Sequence, residues 1–203
     1  MSGEIVKTIP SPSTSPRGLA WDGKHLWHCD SNSDTIYKLD TDGNILFSFA
    51  SPTTNPRSLA WDGKYLYHVT SGNFLIYKYT AKGELIKSLD ISGTYSDNGG
   101  LTWDGKNLLV CTNNGDKVGK FTPQGKLIRE FSTPATSPRS LAWDGRAIWH
   151  YDSSTNTIYK LTTDGATIKS FATPTTNPRA LAFDGKHLWI ADDVNQEIYQ
   201  IRT

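Results

Sequence analysis

The chain has 203 residues, with 21 Lys and Arg against 20 Asp and Glu. A formal charge of +1 argues against a polyanion-binding surface, and so against nucleic acid as a partner. No run approaches the roughly 20 apolar residues of a membrane span, and the opening MSGEIVKTIP lacks the basic-then-apolar pattern of a secretory signal. The expectation is a protein that is cytoplasmic, or secreted with its signal removed.

From the N-terminus, the first predicted element is a short strand at residues 5–9 (IVKTI). Four more follow at residues 18–21, 25–29, 35–39 and 44–49. Each is rich in aromatic and β-branched residues and too short for a helix. Asp-Gly pairs at 22–23 and 42–43 separate them, because glycine supplies positive φ cheaply in a hairpin turn. The set then recurs. LAWDG stands at residues 19–23, 59–63 and 141–145, LTWDG at 101–105 and LAFDG at 181–185, with Asp-to-Asp spacings of 40, 42, 40 and 40. No segment carries helical periodicity over ten residues. Four antiparallel strands repeated at about 40 residues describe a β-propeller.

The ends specify how the ring closes. The last unit stops after IYQI at 198–201 with no fourth strand, and residues 5–9 align with the fourth strands of the other units. The expected fold is therefore all-β: a single domain over residues 1–203, a five-bladed propeller with repeats starting near 16, 56, 98, 138 and 178. The N-terminal strand completes the last blade and removes an exposed edge.

The pattern PRGLAWDGKHLW…IYKLDTDG…SF resembles NHL-type repeats and related bacterial propeller repeats over the whole chain. The blade number resembles that of plant-type glutaminyl cyclotransferase propellers. Related folds host lactonases, lyases and pure binding modules, so the resemblance implies the fold and leaves the activity open. Gluconolactonase-type metal hydrolases and glutaminyl cyclotransferases are expected to use an acidic residue near the axis, commonly Glu. Here the glutamates are Glu4, Glu84, Glu130 and Glu197, all in or beside outer strands or leading into a third strand, so no catalytic residue and no metal or other cofactor is assigned.

The loops entering the first strands should surround one mouth of the channel. They carry Arg17, Arg57, Arg139 and Arg179, with Gly99 in the third unit. The tops of the second strands carry Asp30, Thr70, Thr112, Asp152 and Asp192. Arg17–Asp30, Arg139–Asp152 and Arg179–Asp192 are expected as structural ion pairs, since crowded arginines call for carboxylates. Arg57 faces Thr70 and becomes the candidate for meeting an anionic ligand.

Beside Arg57, the connector SGTYSDNGG at 92–100 is two residues longer than its counterparts and brings in Tyr95, Asp97 and Asn98. His68 lies in the same unit as Arg57, in a column with His28 and His150. Those three positions are spread around the ring, which argues against one shared metal. Repeated tryptophans and the WDG aspartates read as blade packing and turns. Cys29 and Cys111, in non-neighbouring units, are expected to be free thiols.

The functional expectation is a non-catalytic, monomeric binding or scaffold propeller. It would recognise a small anionic molecule or a protein partner through Arg57, His68, Tyr95, Asp97 and Asn98. The alternatives are a hydrolase, lyase or cyclotransferase at the channel mouth, a multivalent lectin with one site per blade, and an engineered ring without a natural ligand.

Overall fold

A computed structural model describes residues 2–73, 75–92, 99–112 and 115–203. Strand β1 (Ile5–Pro10) comes first. The first blade then runs β2 (Pro16–Trp21), β3 (Leu26–Asp30), β4 (Thr35–Leu39), β5 (Ile45–Ala50). The second is β6 (Pro56–Trp61), β7 (Leu66–Thr70), β8 (Leu75–Tyr79), β9 (Leu85–Asp90), and the third β10 (Leu101–Trp103), β11 (Leu108–Thr112), β12 (Lys117–Phe121), β13 (Leu127–Ser132). The fourth is β14 (Pro138–Trp143), β15 (Ile148–Asp152), β16 (Thr157–Leu161), β17 (Thr167–Ala172). The fifth holds β18 (Pro178–Phe183), β19 (His187–Asp192) and β20 (Glu197–Arg202), and β1 pairs antiparallel with β20 as its outer strand. The fold is the expected five-bladed propeller, closed by its N-terminal strand.

Strand alternation builds the core. On β3, Trp27 and Cys29 face one way and pack with Leu59, Leu66 and Tyr79 of the second blade. Leu26, on the opposite face, packs with Trp189, Ile198 and Ile9 of the fifth blade and its strap. Each junction between neighbouring blades has such a cluster. A period of two therefore buries both faces of every second strand, and the core is a set of layers rather than one centre. Aromatic pairs cross the junctions: Trp27 stacks on Trp61 and Tyr67 on Trp103, each at 6.1 Å.

The WDG turns do more than reverse the chain. Asp144 Oδ1 accepts the backbone N–H of Arg146 and Ala147 at 2.9 and 2.8 Å, while Oδ2 accepts Trp149 Nε1 at 3.1 Å and pairs with Lys160 at 2.7 Å. Lys160 also lies over the Trp149 ring. Asp22–Lys38, Asp62–Lys78 and Asp104–Lys120 repeat the ion pair, and in the fifth blade Gln200 takes the lysine's place on Asp184. Each WDG aspartate thus ties the turn to the third strand.

At Gly100 the neighbouring blade comes so close that a Cβ would lie 2.6 Å from Ser140 Cα. Only glycine permits that approach. Cys111 Sγ accepts the Gly100 N–H, and both cysteines are free and buried, as expected. Burial pushes the Cys29 thiol well above its ordinary range.

Candidate functional site: the arginine mouth

Each full-length inner strand begins with Pro-Arg and ends in Trp or Phe. At the aromatic end lies a cavity of about 70 Å³, lined by residues 19–21, 59–61, 102–103, 141–143 and 181–183. The opposite end of the inner strands carries the arginines.

A β-bulge aims the arginines. Pro16 pairs with Asp30 and Gly18 with Cys29, so Arg17 is an extra residue in its strand, and the same shift falls at Arg57, Arg139 and Arg179. A bulge re-aims its side chain. This corrects the expected pairs of Arg17 with Asp30, Arg139 with Asp152 and Arg179 with Asp192. The structure instead sends each arginine to the residue after the aspartate. Nε of Arg17 donates to Ser31 Oγ at 2.9 Å, Nε of Arg139 to Ser153 Oγ at 3.1 Å, and Nε of Arg179 to Asp193 at 3.1 Å. Nη2 of Arg57 donates to Ser71 Oγ at 3.3 Å.

The aspartates have another task. Asp30 accepts the N–H groups of Ser15, Asn32 and Ser33, and Asp152 and Asp192 repeat the pattern. All three are buried. These amides outweigh the penalty of burial and hold the Asp30 carboxyl below its ordinary range.

Asp193 pairs with two arginines, Arg179 of its own blade and Arg17 of the next, each at 3.1 Å. Burial lowers the Arg17 pKa, and the nearby Arg179 charge adds to that, partly offset by Asp193. Sequence reading missed Asp193, although the column Ser31, Ser71, Asn113, Ser153, Asp193 marks it as the one carboxylate.

His68 is fully buried against Tyr77 and Tyr79, and neither ring nitrogen has a hydrogen-bond partner. It cannot touch a ligand at the mouth, because its strand face is turned into the blade junction. Desolvation drives its pKa down to about 3. His28 and His150 sit in the same layer and bond through Nδ1 to the carbonyls of Gly18 and Ser140. Tyr95, Asp97 and Asn98 lie outside the described residues, while Gly99 is packed against Pro138 O, one residue before Arg139.

Among the described residues, no group of three or more His, Cys, Asp or Glu could hold a metal ion. Glu4 and Glu130 pair with Arg202 and Lys117, and Glu84 and Glu197 bond to Thr80 and Tyr199. The described residues therefore do not fit the metal of a gluconolactonase-type site.

A family profile described as SMP-30/Gluconolactonase/LRE-like region matches residues 13–151. No curated protein matches the chain. Among solved structures, glutaminyl cyclase from Myxococcus xanthus superposes with a TM-score of 0.83 at 14% identity, over 98% of this chain and 95% of that one. A catalytically inactive virginiamycin B lyase from Staphylococcus aureus with quinupristin gives 0.60 at 21% identity, over 96% and 68%. A streptogramin B lyase gives 0.56 at 19%, over 100% and 86%. At these identities the likeness is one of fold.

Proposed function

The chain belongs to the SMP-30/gluconolactonase/LRE-like family, and from that premise we propose that it is a monomeric binding propeller, without catalysis of its own, that takes one small anionic ligand at the arginine mouth. One observation carries this reading. Arg139 sits half-buried at the rim, and its only hydrogen-bond partner among the described residues is the neutral Ser153 hydroxyl. A guanidinium placed there has donors to spare for an anion. Arg57, Tyr95, Asp97 and Asn98 are proposed to complete the site. Arg57 comes from the second blade, two before that of Arg139, and the other three from the connector whose Gly99 packs against Pro138 O. His68 is not part of it.

The test is a thermal-shift panel of the whole chain against carboxylates, phosphates, neutral sugars and divalent metals at constant ionic strength. Stabilisation by anions that disappears in Arg139→Gln supports the reading. Stabilisation by none of them sinks it and turns attention to a protein partner.

Family membership favours a second reading, an enzyme of the hydrolase, lyase or cyclotransferase type at the same mouth. It needs a general acid or base within hydrogen-bond reach of substrate, and the described rim offers arginines, hydroxyls and the Asp193 carboxylate, which is tied to Arg17 and Arg179. Asp97 is the candidate that this reading depends on. Turnover of a lactone or an N-terminal glutaminyl peptide, abolished by Asp97→Asn, would establish it. A lectin with one site per blade would instead bind about five equivalents of sugar.

A further inference from the structure

Asp193 shows how this mouth holds a carboxylate, and the repeat shows where else one fits. The backbone N–H groups of Ser31, Ser71, Ser153 and Asp193 donate to the carbonyls of Ser15, Asn55, Ser137 and Asn177 at 3.0–3.1 Å, so the four positions are structurally equivalent. Asp193 lies between Arg179 of its own blade and Arg17 of the next. Nε and Nη2 of Arg179 and Nη1 of Arg17 each reach Oδ2 at 3.1 Å, and the Ser15 hydroxyl reaches Oδ1 at 3.3 Å.

The equivalent slot one blade back lies between Arg139 and Arg179. Its own residue is Ser153, whose hydroxyl takes Arg139 Nε at the distance, 3.1 Å, at which Asp193 takes Arg179 Nε. Asn177 stands there where Ser15 stands beside Asp193, two residues before the arginine. This slot has the cations of its neighbour without the carboxylate.

The donors single it out. All three nitrogens of Arg17 are engaged, with Ser31, Asp193 and Ser15. The two Nη atoms of Arg139 and Nη1 of Arg179 make no hydrogen bond or ion pair among the described residues. Both guanidinium charges also act on the Tyr151 phenol.

We infer that the slot between Arg139 and Arg179, with Ser153 and Asn177 as neutral hydrogen-bond partners, binds the carboxylate of a small ligand in the way its neighbour holds Asp193. This rests on the anion-binding reading and narrows it to one chemistry and one junction. Serine at 153 leaves room for an external carboxylate that aspartate at 193 supplies from within.

The test titrates the whole chain with acetate, and in parallel with inorganic phosphate, replacing chloride at constant ionic strength. The arginine Nε–Hε signals are followed by NMR. One equivalent of acetate is expected to move the Arg139 and Arg179 signals. Ser153→Asp should abolish the response, because a tethered carboxylate fills the slot. Asp193→Ser should add a second equivalent. Should Ser153→Asp fail to fold, Arg139→Gln is expected to weaken acetate by about tenfold or more, the loss of one charge-assisted contact. An acetate response unchanged in Ser153→Asp, no second equivalent in Asp193→Ser, or phosphate binding in place of acetate overturns the inference. If other anions bind through Arg139 under those outcomes, the anion-binding reading survives alone. If no anion binds, both fall.

Discussion

Replacing Asp144 with alanine should cost about 3 kcal/mol, and the equivalent change at Asp22 clearly less. Asp144→Ala strips Trp149 Nε1 of its partner. That indole is 1% exposed, so the orphaned N–H costs ~1–3 kcal/mol. Lys160 loses an ion pair at 2.7 Å, but its side chain is 27% exposed and water recovers much of it, leaving ~1 kcal/mol or less. The two turn amides rehydrate at small cost. A loss of about 3 kcal/mol in a chain of this size lowers Tm by roughly 6–12 °C. Asp22 holds the same turn and the same kind of lysine, Lys38 at 2.8 Å, but Trp27 Nε1 has no hydrogen-bond partner to lose. Asp22→Ala should therefore be milder by about 1 kcal/mol. Urea unfolding of the two variants reads the difference directly. Equal losses, or a loss below about 1 kcal/mol in Asp144→Ala, would refute the assignment of the WDG aspartate as a four-donor tie.

Three further outcomes are expected. Burial holds His28 and His150 at about 4 and His68 at about 3, below the ordinary 6.5, so the unfolded chain binds more protons in that window. Stability should fall as pH drops from about 6.5 toward 4, by up to ~1.4 kcal/mol per pH unit per histidine, and His68→Leu should flatten the slope of urea midpoint against pH; an unchanged slope contradicts this. Gly100→Ala would drive its Cβ into Ser140 Cα and Leu141 N, at 2.6 and 2.7 Å, and should cost ~1–3 kcal/mol in urea unfolding, whereas a change below about 0.5 means the blades spread freely. Ser140→Ala removes the hydroxyl that accepts the Leu181 N–H across a blade junction at 2.7 Å, and should cost ~1–3 kcal/mol and speed exchange of the Leu181 amide; slow exchange in the variant would show another acceptor.

The ring was legible because its signals are local and repeated. Asp-Gly turns mark the hairpins, and the missing fourth strand after β20 has one counterpart in the chain, at β1. Strand bounds differ from expectation by one or two residues, as at β3, where the structure extends through Asp30.

The site was less legible for a geometric reason. Pairing Arg17 with Asp30 assumes a regular ladder, and the bulge at Arg17 turns the side chain one residue further, to Ser31. Nothing in PRGLAW announces that bulge, although the column ending in Asp193 would have revealed the true partner. The lysines that hold the WDG aspartates lie 16 residues away on the third strand, a separation that local motif reading does not span. The inter-blade placement of His68 was readable from its strand face. Its lack of any hydrogen-bond partner was not, because that depends on side-chain positions outside its own strand.

The most direct test of the account is the stoichiometry of anion binding, measured by calorimetric titration of the whole chain beside Arg139→Gln. The account predicts one equivalent bound by the unaltered ring and a loss of about tenfold or more in affinity on removing the Arg139 charge. Binding of about five equivalents, or binding that Arg139→Gln leaves unchanged, would contradict it.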